Sequence, residues 1–108
     1  MNSVVLIGQL AETPKFSYAN KTLYCTFSLN VKRELKQKHP GIRTTQTIDC
    51  IPIVLWDRQA QFARRNFRDN YNKHLVMITG EIHIQFYHRD GSIQWTPKVV
   101  GDNIVIVG

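Results

Sequence analysis

The feature that most constrains this chain is a stretch in which a strand pattern runs directly into a helix pattern. Between Ile48 and Trp56, apolar residues recur at every second position, which is the period of a strand with one buried side. After Asp57 the spacing changes to three and four residues, the period of one helix face. Asp57 is also a good N-cap, because its carboxylate can accept from the open N–H groups of the first turn. The residues predicted to face the core are Ile51, Ile53, Leu55, Ala60, Ala63 and Phe67.

The other side of this strand is unusually apolar for a surface that should contact water, since it carries Cys50, Pro52, Val54 and Trp56. Pro52 has no N–H to donate, so we expect a bulge or an unpaired strand edge at that position. The helix arginines after Arg58 (Arg64, Arg65 and Arg68) are expected to form a solvated face.

Strand patterns flank this unit on both sides. Segment 22–32 has the cleanest alternation. Segment 75–87 also alternates, and the residues predicted to face inward are Val76, Ile78, Gly80, Ile82, Ile84 and Phe86. Those predicted to face outward are Met77, Thr79, Glu81, His83, Gln85 and Tyr87. Asp90-Gly91 predicts a hairpin, because this pair readily adopts positive φ. The predicted strands are 3–10, 22–32, 48–56, 75–87 and a last stretch of 93–100 with 103–107, divided at Gly101-Asp102.

The order of elements describes an all-β domain with one helix. A five-stranded Greek-key barrel with a helix between strands 3 and 4 is the OB-fold. Gly8 and Gly80 are expected at the bends that such small barrels need. The pattern by itself leaves SH3-like barrels and other small β domains open. At 108 residues the chain is predicted to be a single domain, 1–108.

The net charge of the chain limits the classes of ligand that it is expected to bind. The net charge is +6, and a basic surface favours polyanions, either nucleic acid or an acidic membrane surface. Much of the positive excess lies in segment 32–43, which contains five basic residues and one acidic residue, Glu34. The alternative for this loop is a solvated hairpin whose lysines serve solubility. Its basic residues are Lys32, Arg33, Lys36, Lys38 and Arg43.

Several function classes are not expected. Cys25 and Cys50 are predicted to be buried free thiols in a reducing compartment. The sequence has no signal segment and no apolar run near the ~20 residues of a membrane span, so we expect a cytoplasmic protein. The four histidines are scattered, and no catalytic constellation, metal-ligand spacing or phosphate loop is recognisable, so we expect neither an enzyme nor a cofactor.

Collinear segments carry a family resemblance. In order, MNSVVLIGQLAETPKFSY, TFSLNVKRE, IPIVLWDRQAQFA, ITGEIHIQFYHRDG and WTPKVV resemble bacterial single-stranded DNA-binding proteins over nearly the whole chain. The resemblance implies an OB-fold domain that binds single-stranded DNA without sequence preference in replication, recombination and repair. It also implies a nucleoid-associated protein that is usually a homotetramer, and oligomerisation would most simply use the first strand.

The resemblance also implies a site built from aromatic stacking platforms among basic side chains. Trp56 and Tyr87 keep two of the family's main aromatic positions, whereas two others fall near Leu35 and at Cys50. Family arginines are replaced at Pro52, His83 and Gln85, so we expect weaker or differently routed binding. Trp95, Tyr24, Phe16, Phe62 and Tyr71 are candidates for compensation. The predicted DNA-binding residues are Trp56, Tyr87, Trp95, Lys32, Arg33, Lys36, Lys38, Arg43 and Arg58.

Family members usually continue into an acidic, partner-recruiting tip, whereas this sequence ends at Gly108 directly after a strand. We therefore expect no acidic tail, and protein partners are not predicted. Two alternatives to the leading hypothesis stay open. One is a tailless, dimeric primosomal replication protein of the B type, which would bridge DNA and helicase-loading partners. The other is an OB-fold interaction module that docks a protein on the side of the strand carrying Trp56.

Overall fold

Six strands and one α-helix form the part of the chain that the computed structural model describes, residues 1–34 and 46–108. A 3₁₀ turn at Tyr71–Lys73 follows the helix. The elements are β1 (Val4–Leu10), β2 (Lys15–Ala19), β3 (Thr22–Lys32), β4 (Ile48–Trp56), α1 (Arg58–Asn66), β5 (Val76–Arg89) and β6 (Ser92–Ile106).

Five of the strands close into a ring in the order β1, β5, β6, β4, β3. The ring closes because the end of β1 leaves β5 and pairs with β3, at Gln9↔Asn30 and Leu10↔Leu29. Gly8 lies at this crossing, where a Cβ would overlap the carbonyl oxygen of Asn30. Among the described strands, the β4–β6 pairing alone is parallel. This is the five-stranded OB-fold barrel predicted from the sequence.

The strand missed by the sequence analysis is β2, which continues the edge of β1 along β3. It has only five residues, and the two-residue turn that joins it to β3 uses positive φ at Asn20 (48°) and Lys21 (67°). The sequence predicts a turn at Ala19-Asn20-Lys21, but the segment before it is too short to be recognised as a strand by its alternation. Because β2 is counted, the helix lies between β4 and β5 rather than between strands 3 and 4.

The predicted division of the last stretch at Gly101-Asp102 is wrong, because β6 is continuous through it. Instead the register shifts by one residue there: Thr79 pairs with Asn103 and Gly80 with Gly101, so Asp102 is the extra residue of a bulge. The Thr79 hydroxyl donates to Asp102 Oδ1 at 2.8 Å. The strand therefore bends at this point without ending.

The core fills the ring and the space beneath α1. The buried alternation in β3 and the buried helix positions agree with the sequence prediction. Asp57 differs, because the chain passes through it at φ 52° and ψ −112° and its carboxylate makes no cap hydrogen bond. An N-cap side chain normally reaches the first turn from extended backbone, which Asp57 does not adopt. Buried core residues include Leu23, Cys25, Phe27, Leu29, Ile53, Leu55, Ala60, Ala63, Phe67, Val76 and Ile78.

The hairpin of β5 and β6 extends beyond the barrel as an arm, residues 81–97, in which every side chain is exposed. The inward orientation predicted for β5 is correct for Val76, Ile78 and Gly80, which are buried. It is wrong for Ile82, Ile84 and Phe86, which are exposed. These strands outrun the ring: after Gly80, β5 pairs only with β6, and before Val99, β6 pairs only with β5. The turn of the arm is the predicted Asp90-Gly91, with φ of 52° and 76°.

Candidate nucleic-acid interface

One side of the sheet runs without interruption from the helix end of the barrel to the tip of the arm. Residues paired across neighbouring strands point to the same side. The pairs Tyr24↔Trp56, Val54↔Val100 and Val100↔Glu81 therefore connect β3, β4, β6 and β5 on this side. We call it the outer face, and it carries Tyr24, Asn30, Lys32, Cys50, Pro52, Val54, Trp56, Glu81, His83, Tyr87, Lys98 and Val100.

Trp56 lies on the outer face at its helix end. The indole is 41% exposed, and its ring centroid is 4.9 Å from that of Tyr24, with the planes tilted by 35°. Trp56 is therefore not part of the barrel interior. The two rings form an aromatic pair that a flat base can approach from solvent.

Tyr87 lies on the same face, at the arm, and is 43% exposed. Trp95 is 63% exposed but belongs to the opposite side of the arm. The register requires this, because Trp95 pairs with Phe86 and Tyr87 pairs with Gln94, and neighbours along a strand alternate. The Phe86 and Trp95 rings are stacked, with centroids 6.5 Å apart and planes 24° apart. The three predicted aromatics thus divide between two surfaces.

The predicted basic residues also divide. Lys32 is exposed at the end of β3, opposite Ile48 on the outer face. Arg58 is exposed at the first position of α1, two residues after Trp56. Lys36, Lys38 and Arg43, together with Leu35 at a departed family position, lie outside the described residues.

Arg33 forms an ion pair. Its Nε and Nη2 donate to the two carboxylate oxygens of Asp49 at 2.9 and 2.8 Å, and Gln46 donates to Asp49 Oδ1 at 3.1 Å. These hydrogen bonds from Arg33, with its positive charge, lower the pKa of Asp49, and the same hydrogen bonds raise the pKa of Arg33. Asp49 lies on the side of β4 that carries Ile51, so the pair is not on the outer face.

Basic residues that the sequence analysis missed lie on the outer face. Lys98 pairs with His83 at the base of the arm, and its Nζ donates to Gln85 Oε1 at 3.4 Å. Lys15 pairs with Thr26 on β3, and Arg89 shares the side of Tyr87. The alternation of segment 93–100 showed which residues share a side with Lys98. Only the register of the hairpin shows that this side is the outer face. Lys15 became assignable only once β2 was known.

The middle of the outer face is apolar but not aromatic. Cys50 is exposed there, so the prediction that both thiols are buried is wrong for Cys50 and correct for Cys25. Burial raises the pKa of the Cys25 thiol to about 12. At Pro52 the pairing with Ser28 continues without a bulge, whereas β6 pairs with β4 only from Ile53 onward. Of the two features expected at Pro52, the bulge is absent and the unpaired strand edge is present beside it.

The proposed compensating aromatics are mostly engaged elsewhere. Phe16, Phe62 and Tyr71 are partly buried and pack against the core. Tyr24 is the exception, because it pairs with Trp56 on the outer face. Within residues 1–34 and 46–108, no three His, Cys, Asp or Glu side chains converge as metal ligands would. In the same part of the chain, no helix has the length and apolar character needed to cross a bilayer.

Comparison with known proteins gives consistent results. The model of the family described as "Single-strand binding protein family" matches residues 1–107. Single-stranded DNA-binding proteins 2 and 3 of Clostridium acetobutylicum are 31% and 32% identical to this chain, over 96% of it and over 74% and 69% of their own lengths. A solved Plasmodium falciparum SSB complex with ssDNA superposes with a TM-score of 0.80 at 18% identity, covering 100% of this chain and 96% of that chain.

Proposed function

Since the chain belongs to the single-strand binding protein family, we propose that it binds single-stranded DNA irrespective of base sequence, in replication, recombination and repair. The outer face is the proposed binding surface. The observation that carries this proposal is that Trp56 and Tyr87, at the two ends of that face, are both exposed on the side that also bears Lys98.

The mechanism is binding without catalysis. Every base has a π-face, so stacking on an exposed ring tolerates any sequence and contributes ~1–3 kcal/mol per base. Cationic side chains beside the rings neutralise phosphates and release condensed counterions. Lys32, Lys98 and Arg58 supply this charge in the proposed path, with Lys36, Lys38 and Arg43 of the basic segment 32–43 as further proposed contributors.

The middle of the proposed path stacks less strongly than its ends. Cys50 and Pro52 offer no aromatic surface, and His83 and Glu81 lie within 3.8 Å of each other, so an acidic group stands beside the basic ones. We infer that contacts concentrate at the Trp56–Tyr24 pair and at Tyr87. Affinity per subunit is then lower than four stacking platforms would provide.

Because the proposed ligand is single-stranded DNA, the proposed location is the cytoplasm, at exposed single strands of the nucleoid. A homotetramer is the proposed assembly. Its support is β1, whose outward residues Val5 and Ile7 are exposed and whose partner Met77 continues the apolar surface onto β5. An apolar strand surface of this kind suits packing across a two-fold axis.

Titration of fluorescent oligo-dT at two salt concentrations tests the binding proposal. We expect tight binding at low salt and a log–log slope of about −0.7 for each phosphate neutralised. Absence of binding at low salt would refute the proposal and favour the interaction module. Light scattering gives the subunit count: four copies agree with the proposed tetramer, and two favour the primosomal alternative.

A further inference from the structure

The arm leaves the barrel at a bend in β5 and β6. At Gly80 the backbone passes so close to the carbonyl oxygen of Val100 that a Cβ would overlap it, and the bulge at Asp102 lies beside this contact. A glycine and a bulge together allow two paired strands to turn sharply. The direction of the arm therefore depends on what holds β5 immediately after the bend.

The side chain of Asn2 holds β5 at this position. The antiparallel pairing of β1 with β5 ends at Val4↔Gly80, and extending that register by two residues places Asn2 opposite Ile82. Asn2 precedes β1, yet its amide forms both hydrogen bonds that a paired strand residue would form. Its Nδ2 donates to the Ile82 carbonyl oxygen at 2.6 Å, and the Ile82 N–H donates to its Oδ1 at 2.9 Å.

An amide side chain suits this role because it carries a donor and an acceptor side by side. A neighbouring strand offers the same two groups, one N–H and one C=O from a single residue. An ionised carboxylate can only accept, and a hydroxyl has one oxygen, which cannot reach both groups of Ile82. Asn2 therefore continues the β1 ladder by one step through its side chain.

The foot of the arm has little other support. In the described part of the chain, β5 beyond Ile82 is hydrogen-bonded to no strand except β6. Between the arm foot and β4 is a cleft of about 310 Å³, whose lining includes Cys50, Pro52, Pro97 and Lys98. Every side chain from 81 to 97 is exposed. A tilt of the arm would therefore change the width of this cleft without breaking buried packing within the arm.

We propose that Asn2 is a positioning residue for the DNA site, because it fixes the direction of the arm and thereby the placement of Tyr87 relative to Trp56. The inference rests on the proposed function, in which these two rings bind one strand of DNA. Tyr87 lies five residues beyond Ile82 on β5, about 17 Å at the usual rise, so a tilt of about 10° would move its ring by about 3 Å. DNA bound to an arm without this contact would have to fix its direction, which lowers affinity.

Hydrogen exchange at the Ile82 amide, measured on the whole chain without DNA, tests the contact itself. Asn2→Ala removes both hydrogen bonds from an exposed residue outside the core, so the thermal unfolding midpoint should be retained. The Ile82 N–H should exchange about fivefold faster or more in this variant than in wild type. The matched control is Ser3→Ala, an exposed neighbour, which should keep the wild-type rate. Equal rates in Asn2→Ala and wild type would overturn the proposal.

Oligo-dT titration of combined variants tests the positioning role. Asn2→Ala alone should weaken binding by about threefold or more, and by no more than Tyr87→Ala does. Within the Asn2→Ala background, Tyr87→Ala should weaken binding by a smaller factor than in wild type, because the ring is no longer held in place. Trp56→Ala, at the other end of the outer face, should weaken binding by the same factor in both backgrounds.

Two results separate this inference from the function on which it rests. An identical factor for Tyr87→Ala in both backgrounds would show that Asn2 does not act through the arm, and would overturn the proposal. Failure of the wild type to bind oligo-dT would instead refute the proposed function. The exchange rate of Ile82 would then still decide whether Asn2 holds the arm, because that measurement needs no DNA.

Discussion

Tyr87 and Trp95 lie on opposite sides of one hairpin, although the chain brings them within nine residues of each other. The pairs Tyr87↔Gln94 and Phe86↔Trp95 determine this arrangement. The two aromatics therefore serve different surfaces, one polar and one apolar. Tyr87→Ala should weaken oligo-dT binding by ~1–3 kcal/mol with the oligomer mass unchanged.

Trp95→Ala is the counterpart of that variant and should leave oligo-dT affinity close to that of wild type, because Trp95 lies on the side of the arm away from the outer face. Fluorescence titration with oligo-dT checks both variants, and light scattering confirms that neither changes the oligomer mass. Equal losses of DNA affinity in the two variants would contradict the separation of the two sides.

Trp56→Ala should weaken oligo-dT binding by ~1–3 kcal/mol, because it removes the larger ring of the pair with Tyr24. The fold should tolerate the change, since Trp56 is outside the buried core. Tyr18→Ala is a suitable control, because Tyr18 is also an exposed aromatic but pairs with Leu23, on the side away from the outer face. Similar affinity for the Trp56 variant and the control would remove Trp56 from the site.

Lys98→Gln should lower the salt dependence of oligo-dT binding and leave the fold intact. If Lys98 neutralises one phosphate, the log–log salt slope should become less negative by about 0.7. Lys73→Gln, in the 3₁₀ turn, provides a control that leaves the outer face intact. An unaltered slope for the Lys98 variant would show that its ammonium group does not contact the backbone of the strand.

Stability should depend on pH through Asp49. Its pKa in the folded protein is lowered by Arg33 from an unfolded value of about 3.9. The ionised carboxylate therefore stabilises the fold above about pH 4, and this contribution is lost as the pH falls through the folded pKa. The thermal midpoint of Asp49→Asn should lie below that of wild type at pH 7, and the gap should close in acid. Arg33→Gln should reproduce the same convergence, whereas a gap independent of pH would exclude the pair as its cause.

The two cysteines should differ in reactivity. Cys50 is exposed on the outer face, whereas burial raises the pKa of Cys25 to about 12, so almost none of it is thiolate at pH 8. A maleimide should label one thiol per native chain and two per unfolded chain. Bound oligo-dT should slow labelling of Cys50 if the strand crosses β4. Rapid native labelling of Cys25 would contradict the packing of β3 against the core.

The sequence by itself determined the elements whose cause is local. The period-two alternation of Thr22–Lys32, the change of period after Trp56 and the Asp90-Gly91 turn each depend on side chains and φ preferences within a few residues. The tertiary structure alone decided how far the strands outrun the barrel. It thereby made Ile82, Ile84 and Phe86 exposed, because burial depends on what lies opposite a strand and not on its own pattern. It also paired Arg33 with Asp49, since charge along a sequence does not reveal which carboxylate the fold brings within 3 Å.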